Sequence, residues 1–449
     1  MITAEAFRGK RYAVLGLARS GTATVESLLA SGARVIAWDS DETKRQPFLS
    51  FPSGEGPGVG PHAGLTLADP LTLDLSGFDG VVVSPGVPLN RHPVTAHARR
   101  FGIPIIGDIE LFALARPELP PHKVVGITGT NGKSTTTALI HHILKTAGVP
   151  TAMGGNIGLP ILGQDPLTSG GVYVLELSSF QIDLTFSLDC DVAVLLNITP
   201  DHLDRYDSFE AYAAAKERLF AMQSAGKAAI IAGDDASSRD IHLRQWMRPG
   251  HESTTILVHG SQITNSEQAE WPALQGPHNG QNAAVAIAAA RLLGLDDTAI
   301  ATGLRTYPGL PHRMEIVRTV AGVRYVNDSK ATNPDSVAPA LRAFPNLHWI
   351  LGGQAKTPDL DACLPHLAGV KAAYVIGEAA PLFADILAPH LPVTRSGTLA
   401  QAVNDTAAAA QPDDTVLLSP ACASFDQFRD YEDRGDQFRT LVHALKDAA

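Results

Sequence analysis

The stretch GTNGKST, residues 129–135, brings two glycines, a lysine and three hydroxyl side chains together between a short apolar run and a helical one. Such a loop can hold phosphate, because its glycines let backbone N–H groups point inward, the helix N-terminus favours an anion, and the lysine supplies positive charge. The standard pattern has a glycine five positions before the Gly-Lys pair; this sequence has Ile127 there, so the loop is a variant. We predict that it binds a nucleotide, with Lys133 on the β- and γ-phosphates and Ser134 on Mg²⁺. The predicted loop ligands are Gly129, Thr130, Asn131, Gly132, Lys133, Ser134 and Thr135.

Three side chains suited to metal or acid–base chemistry follow the loop. Glu176 ends the apolar run VYVLE, and a carboxylate at the carboxyl end of a strand can hold the magnesium ion of a bound nucleotide. His202, in NITPDHLDRY, suits a metal ligand, an acid–base group or a hydrogen-bonding group at a helix start, and the residues alone favour the last. Lys216 lies in the helical run EAYAAAKERLF, whose pattern predicts a solvated lysine.

The first strand, turn and helix of the chain resemble a dinucleotide-binding turn. Gly16, Ala18 and Gly21 stand at its three glycine positions, so alanine replaces the middle glycine that lets the backbone approach a pyrophosphate. The substitution argues against a standard NAD site but leaves a turn able to cradle phosphate. Asp39 ends the next strand, where it would either accept hydrogen bonds from a ribose or a base, or cap a turn.

Three loops near the end of the chain follow apolar runs and are rich in polar groups. NDSKATNP spans residues 327–334, GGQAK spans 352–356 and SPACASFDQF spans 419–428. The carboxyl ends of parallel strands meet at one edge of a sheet, so these loops are expected to converge there. We predict a small-molecule site in which lysines neutralise a dianionic amino acid and hydroxyls bind its carboxylates. The side chains expected to form it are Lys330, Thr332, Lys356 and Ser424.

Short β-branched runs alternate with alanine-rich helical stretches throughout, which predicts βαβ units, mostly parallel sheets and an α/β fold. The 449 residues are too many for one core and, at about 150 residues per domain, suggest three domains. We predict a Rossmann-like N-terminal domain over residues 1–111, a central P-loop ATPase-type domain over 112–309 and a C-terminal doubly wound, Rossmann-like domain over 310–449. The Gly/Pro-rich stretch around residues 52–61 is predicted to be a loop insertion.

Charge and cysteine content exclude several classes of protein. The formal net charge is −11 and no block of Lys or Arg occurs, which argues against a nucleic-acid surface or a basic membrane patch. Cys190, Cys363 and Cys422 are far apart, so neither a disulfide framework nor a zinc knuckle is supported. No uninterrupted apolar run has the length of an export signal or a membrane span. These features predict a cytoplasmic protein with small-molecule partners and no nucleic-acid or membrane partner.

Eight segments, in this order, closely resemble the Mur ligase family of peptidoglycan synthesis: GTNGKSTTT, GGNIG, LELSSFQ, NITPDHLDRY, GPHNGQNAAVA, LPHRME, NDSKATNP and LLSPACASFDQF. The likeness covers nearly the whole chain. NDSKATN and SPACASFDQF are most similar to the member that joins D-glutamate to UDP-N-acetylmuramoyl-L-alanine. The resemblance implies an ATP- and Mg²⁺-dependent amide ligase, acting as a monomer through an acyl phosphate, in cell wall biogenesis and hence in cell shape and division.

The resemblance also implies roles for individual residues. Lys133 would contact the transferred phosphoryl group, Ser134 and Glu176 would hold one Mg²⁺, and His202 would hold a second together with a carbamylated Lys216. Further residues implied to bind ATP are Asn279 and Asn282 at the adenine, and Arg313 and Asp328 on the phosphate and ribose side. Those implied to bind the UDP substrate are Gly16, Ala18, Arg19, Ser20, Asp39, Ser40, Gly86, Asn156 and His202. Those implied to bind D-glutamate are Lys330, Thr332, Lys356, Ser424 and Tyr431.

One residue departs from the Mur ligase pattern. Three other classes of protein share some of the sequence features described above. Tyr431 stands where the best-known members have phenylalanine, and its hydroxyl is expected to seek a hydrogen bond. Folylpolyglutamate synthetase has the same fold but lacks a UDP-binding first domain, which residues 1–111 provide here. The cationic loops of the third block argue against a phosphate-loop switch that hydrolyses nucleotide and binds a partner. Ala18 argues against a nicotinamide-dependent oxidoreductase.

Overall fold

A computed structural model describes the chain as two compact units, each of which is considered by itself below. The first unit comprises Met1–His259 and Val285–Gly303, and the second comprises Gly260–Ala284 and Leu304–Ala449. The residues described are 1–49, 64–201, 205–248 and 254–446. His202 and the stretch around 52–61 therefore lie outside the described residues, together with the predictions made for them. Among the described helices, none combines the length and the apolar character needed to cross a membrane.

The first sheet has five parallel strands in the order β3-β2-β1-β4-β5. Its strands are β1 (Arg11–Leu15), β2 (Arg34–Trp38), β3 (Leu65–Leu67), β4 (Gly80–Val83) and β5 (Ile105–Ile106). Its helices are α1 (Arg19–Ala30), α2 (Glu42–Leu49), α3 (Val94–Arg100) and α4 (Asp108–Ala115). A Cβ added at Gly21 would lie 1.8 Å from the carbonyl oxygen of Gly16. Glycine at 21 therefore allows α1 to start directly against the turn after β1.

The central sheet has six parallel strands in the order β11-β10-β9-β6-β8-β7. They are β6 (His122–Thr128), β7 (Thr151–Gly155), β8 (Gly171–Glu176), β9 (Val192–Leu195), β10 (Ala228–Ala232) and β11 (Thr254–Val258). The helices along this part of the chain are α5 (Lys133–Thr146), α6 (Ser179–Asp183), α7 (Phe209–Ala221), α8 (Ala236–Trp246), α9 (Asn265–Ala269), α10 (Pro277–Leu292) and α11 (Asp297–Thr306). Buried residues of the first and central sheets belong to one hydrophobic cluster, which includes Val14, Val35, Tyr173 and Leu195.

The third sheet has the order β12-β13-β17-β14-β15-β16, and every pair is parallel except β12 with β13. Its strands are β12 (Glu315–Val320), β13 (Val323–Asn327), β14 (Leu347–Gly352), β15 (Val370–Ile376), β16 (Val393–Gly397) and β17 (Thr415–Leu418). Its helices are α12 (Pro334–Val337), α13 (Ala380–Leu387), α14 (Leu399–Ala409) and α15 (Tyr431–Ala444). Trp349 and Leu351 enter one buried cluster and Ile350 enters another, so both faces of β14 are covered. This is the arrangement of a doubly wound sheet.

The α/β prediction with largely parallel sheets is confirmed. Each sheet lies within one of the three predicted domain ranges, although the compact units divide the chain differently, so the boundaries at 111 and 309 stay predictions. The antiparallel strand β12 was not foreseen. Seven short 3₁₀ helices complete the described structure: Glu5–Phe7, Pro70–Thr72, Arg116–Glu118, Ile161–Gly163, Gly260–Gln262, Ala340–Arg342 and Leu364–Gly369.

Asp108 is a buried carboxyl group below the first sheet's glycine turn, and it gives folding a pH dependence. It lines a small pocket with Thr24 and Ser84, and burial raises its pKa from 3.8 to about 6. Between pH 4 and 6 the unfolded chain releases this proton before the folded chain does, so the free energy of unfolding falls by up to about 3 kcal/mol as the pH rises. We expect Asp108→Asn to raise the Tm of the first unit by several degrees at pH 7.5, with the gain vanishing below pH 4.

Thermal unfolding from pH 4 to 8 tests this expectation. Glu26→Gln removes an exposed carboxylate from α1 and should leave the Tm curve unchanged. The expectation would be contradicted by an Asp108→Asn protein whose Tm at pH 7.5 is equal to or below that of the wild type. That result would show that the folded protein stabilises the ionised Asp108 side chain.

Candidate active site

The phosphate loop has the predicted order of strand, glycine turn and helix. β6 ends at Thr128 and α5 begins at Lys133. Gly129 and Gly132 have φ angles of 151° and 84°, which L side chains rarely adopt. The Lys133 ammonium donates to the carbonyl oxygens of Gly129 (2.9 Å) and Thr130 (2.7 Å). The Lys133 side chain therefore folds back onto the backbone of the loop, at the N-terminus of a 14-residue helix.

The loop is fixed to the segment after β9 by hydrogen bonds that the sequence did not reveal. Thr130 N–H donates to the Asn197 carbonyl at 2.9 Å, and Asn131 N–H donates to the Asn197 side-chain oxygen at 2.8 Å. Asn197 returns a hydrogen bond to the Asn131 carbonyl at 3.1 Å, and Thr199 N–H donates to the Thr130 hydroxyl at 3.0 Å. Asn197 is thus a positioning residue, and its only sequence signal is its place in NIT directly after an apolar strand.

Glu176 lies where the sequence predicts it, at the end of β8 next to β6 in the sheet. It is only 2% exposed; one carboxylate oxygen accepts a 2.9 Å hydrogen bond from the Asn156 amide, and the other has no partner among the described residues. A buried carboxylate oxygen without a partner is costly unless a cation completes it. A Cβ at Gly155 would lie 2.1 Å from the Glu176 carbonyl, so glycine is needed beside this residue.

These residues fit a magnesium ion held partly by phosphate. Ser134, in the first turn of α5, is buried and offers a hydroxyl, and Glu176 offers the unpartnered oxygen. Across the described ranges no three His, Cys, Asp or Glu side chains cluster as a metal site would require. A cation here would therefore take its further oxygen ligands from the nucleotide and from water, as Mg²⁺ usually does.

Lys216 is buried, so the prediction from its helix pattern that it is solvated is wrong. It is 1% exposed in α7, and its ammonium donates to the Gly129 carbonyl at 2.9 Å. Lys133 donates to the same oxygen. Burial, and after it the charge of Lys133, lower the pKa of Lys216 well below its usual value, while Asp201 and Asp183 oppose this shift. Burial and the neighbouring charge therefore disfavour the protonated form of Lys216 beside the phosphate loop.

Most of the described residues predicted for the UDP substrate lie along the turns after β1, β2 and β4 of the first sheet, whereas Asn156 follows β7 of the central sheet. Asp39 accepts backbone hydrogen bonds from Leu17 (2.7 Å) and Asp41 (2.9 Å), which confirms that it caps the turn. Gly16 is held by Ser84, whose hydroxyl donates to the Gly16 carbonyl at 3.0 Å. The Arg19 guanidinium donates to the Gly158 carbonyl. The exposed residues of this set include Ala18, Ser40, Gly86 and Asn156, and Ser20 is half-buried.

The remaining residues predicted for ATP lie in the second unit. The Asn282 amide donates to the Asn279 side-chain oxygen at 3.0 Å within α10, and both are buried. Asp328 accepts from the Ser419 hydroxyl at 2.8 Å and from Met314 N–H at 3.2 Å, and burial raises its pKa to about 7. Arg313 lies between His312 and Met314, which both have positive φ angles.

The loops after β13, β14 and β17 converge as predicted. Lys356 donates to the Thr332 hydroxyl at 3.2 Å, and the Lys330 ammonium lies 3.7 Å from the centroid of the Tyr431 ring. Tyr431 donates its hydroxyl to Glu432 at 2.7 Å, which confirms that the added hydroxyl finds a hydrogen bond. Ser424 is buried. Two lysines and two hydroxyl side chains therefore lie on these loops, which is the chemistry that a dianionic ligand requires.

Arg434 is a positioning residue that the sequence did not reveal. It is fully buried and donates to the Ser329 hydroxyl and carbonyl, both at 2.9 Å, and to the Cys422 carbonyl at 3.1 Å. Burial lowers its pKa to about 10. One guanidinium thus joins the NDSKATNP loop to the SPACASFDQF loop. An arginine in YEDRG on a polar helix gives no sequence signal of this role.

A parallel sheet whose glycine loop leads into a helix defines the chain as a phosphate-loop α/β protein. Residues 127–290 match the Mur ligase middle domain, and residues 312–422 match the glutamate ligase domain of Mur ligases. The chain is 60% identical over 445 residues to the UDP-N-acetylmuramoylalanine--D-glutamate ligase of Novosphingobium aromaticivorans, covering 99% of this chain and 97% of that protein. It is 61% identical to the ligase of the same name from Sphingopyxis alaskensis, covering 99% and 100%. The chain belongs to the Mur ligase family.

Solved structures share this fold at low identity. The UDP-N-acetylmuramate-alanine ligase MurC of Thermotoga maritima matches with a TM-score of 0.57 and 17% identity over 97% of this chain and 99% of that one. E. coli FolC in complex with DHPP and ADP matches with a TM-score of 0.53 and 20% identity over 80% and 99%. The fold is therefore common to proteins that differ widely in sequence.

Proposed function

We propose that this chain is an ATP-dependent ligase that adds D-glutamate to UDP-N-acetylmuramoyl-L-alanine in peptidoglycan precursor synthesis. The observation that carries the proposal is identity of 60% and 61%, over nearly the full length, to ligases named for this reaction. Further support comes from the phosphate loop, the unpartnered oxygen of Glu176 and the two lysines on the loops of the third sheet, which are groups that such a ligase needs. Neither a regulatory switch nor a nicotinamide-dependent oxidoreductase receives comparable support.

The first step transfers the γ-phosphoryl group of ATP to the carboxylate of the L-alanyl substrate. A carboxylate oxygen attacks the γ-phosphorus, the bond from that phosphorus to the ADP oxygen breaks, and an acyl phosphate and ADP result. Lys133 neutralises charge on the transferred group, and the loop N–H groups orient the phosphates, so catalysis is mainly positioning and electrostatics. Asn279 and Asn282 hold the adenine, and Arg313 and Asp328 act on the phosphate and ribose side.

The second step forms the amide bond. The neutral amine of D-glutamate attacks the acyl carbonyl, the tetrahedral intermediate collapses, phosphate leaves and the nitrogen loses a proton. Lys330 and Lys356 hold the two carboxylates of the amino acid, while Thr332 and Ser424 donate hydrogen bonds. Tyr431 keeps Lys330 in place through its ring.

Magnesium supplies charge neutralisation during phosphoryl transfer. Ser134 and Glu176 would hold one ion, and His202 with carbamylated Lys216 a second. The UDP end would be bound by the turns of the first sheet that carry Gly16, Asp39 and Gly86. We further propose that the protein acts as a monomer in the cytoplasm, where its three substrates are small molecules.

Product formation from defined substrates tests this function. Purified protein receives ATP, Mg²⁺ and UDP-N-acetylmuramoyl-L-alanine, with D-glutamate, L-glutamate or no amino acid, and phosphate release and product mass are followed. We expect phosphate and a glutamyl adduct only with D-glutamate. Phosphate without adduct, whatever the amino acid, would instead indicate a nucleotide hydrolase or another acceptor.

A further inference from the structure

Arg205 connects the first sheet to the central sheet within the first unit. Its guanidinium donates to the carbonyl of Val87, in the turn after β4, at 3.0 Å. The same guanidinium lies 4.2 Å from the centroid of the Phe180 ring in α6. One side chain therefore contacts a turn of the first sheet and a helix that starts three residues after Glu176.

Both ends of this connection are fixed. On the first-sheet side, Val87 N–H donates to the Ser84 carbonyl at 3.0 Å, and the Ser84 hydroxyl donates to the Gly16 carbonyl at 3.0 Å. On the central side, Phe180 stacks on Tyr206 with ring centroids 5.8 Å apart. Tyr206 in turn donates its hydroxyl to Asp183 at 2.7 Å, at the end of α6. A displacement of Arg205 would therefore be transmitted through Val87 and Ser84 to the turn that contains Gly16.

We propose that Arg205 is a positioning residue that sets the Gly16 turn at a fixed distance from the Glu176 edge of the central sheet. The inference rests on the proposed function, in which the first sheet holds the UDP end of a substrate whose carboxylate must reach the phosphate loop. Arginine suits the task because its planar guanidinium stacks on an aromatic ring while its N–H groups donate in the plane. A lysine offers the charge without this geometry.

Steady-state kinetics of Arg205→Ala test the inference. We expect the KM for UDP-N-acetylmuramoyl-L-alanine to rise about ten-fold and kcat to fall, since small misplacements of reacting groups are costly. The KM for D-glutamate should stay within about two-fold of wild type, because the loops proposed to hold that amino acid belong to the second unit, whereas Arg205 contacts Val87 and Phe180 in the first. The KM for ATP should change less than the KM for the UDP substrate, because Phe180, Tyr206 and Tyr212 stand between Arg205 and Thr130 of the phosphate loop. Arg205→Lys and Phe180→Leu, which keep most of the packing, should shift the same KM in the same direction by less.

Arg11 provides a control for the loss of a stacked arginine. Its guanidinium lies 4.4 Å from the centroid of the Phe78 ring, so the contact stays within the part of the chain that carries the first sheet. Arg11→Ala should leave the KM for the UDP substrate unchanged.

Three outcomes would overturn the inference. The first is an unchanged KM for the UDP substrate in a folded Arg205→Ala protein, and the second is an equal change in all three KM values. The third applies if Arg205→Ala does not fold: it is a wild-type KM for the UDP substrate in both Arg205→Lys and Phe180→Leu. Failure of the proposed function is distinguishable, because the wild-type protein itself would then form no adduct.

Discussion

Lys133→Met is expected to lower kcat for ligation by about 10²–10³-fold, the usual cost of removing one group that stabilises transition-state charge. The lysine ammonium donates to the Gly129 and Thr130 carbonyls at the start of α5, where a phosphoryl group would meet the helix N-terminus. Methionine keeps the length and most of the volume but carries no charge. Initial rates of ADP formation at saturating substrates measure the effect.

Lys145→Met is the matched control, because Lys145 lies exposed in the last turn of the same helix. It should retain wild-type kcat. A folded Lys133→Met protein that keeps more than about a tenth of wild-type kcat would remove Lys133 from the proposed mechanism. A similar loss in both variants would point to helix stability rather than to charge.

The architecture and the site loops were predictable from the sequence because they depend on local signals. Apolar β-branched runs mark the strands, and glycines with positive φ mark the phosphate loop, whose conformation few other residues can adopt. Glu176 was predictable for the same reason, since a strand end fixes the edge of the sheet where its side chain lies.

The unpredicted features depend on contacts between segments distant in sequence. Arg434 contacts residues about 105 positions away, and Lys216 contacts Gly129, 87 positions away. In EAYAAAKERLF, three alanines precede Lys216 and two charged residues follow it, so the pattern does not show which helix face is buried. Asp39 was ambiguous because a carboxylate can cap a turn or bind a ribose, and only the hydrogen bonds from Leu17 and Asp41 show the capping.

Lys216→Met is expected to lower ligase activity by at least about 100-fold, a cost comparable to losing a group that acts directly on transition-state charge. Lys133 and Lys216 both donate to the Gly129 carbonyl, so two ammonium groups would repel each other in a buried place. The proposed carbamylation would resolve this conflict: the neutral Lys216 amine would attack the carbon of CO₂, a nitrogen–carbon bond would form as one carbon–oxygen π bond breaks onto its oxygen, and the nitrogen would lose a proton. The carbamate would carry a negative charge that attracts Lys133, and its oxygens would be ligands for a cation.

Carbon-13 NMR with labelled bicarbonate measures the modification itself. The wild-type protein should show one carbamate signal that Lys216→Met lacks, while Lys123→Met, which changes an exposed lysine on β6, should keep both the signal and the activity. A signal that persists in Lys216→Met would place the carbamate elsewhere. Full activity in that variant would show that the buried lysine is not needed for catalysis, and its contacts with the Gly129 carbonyl and the Tyr212 ring would then be purely structural.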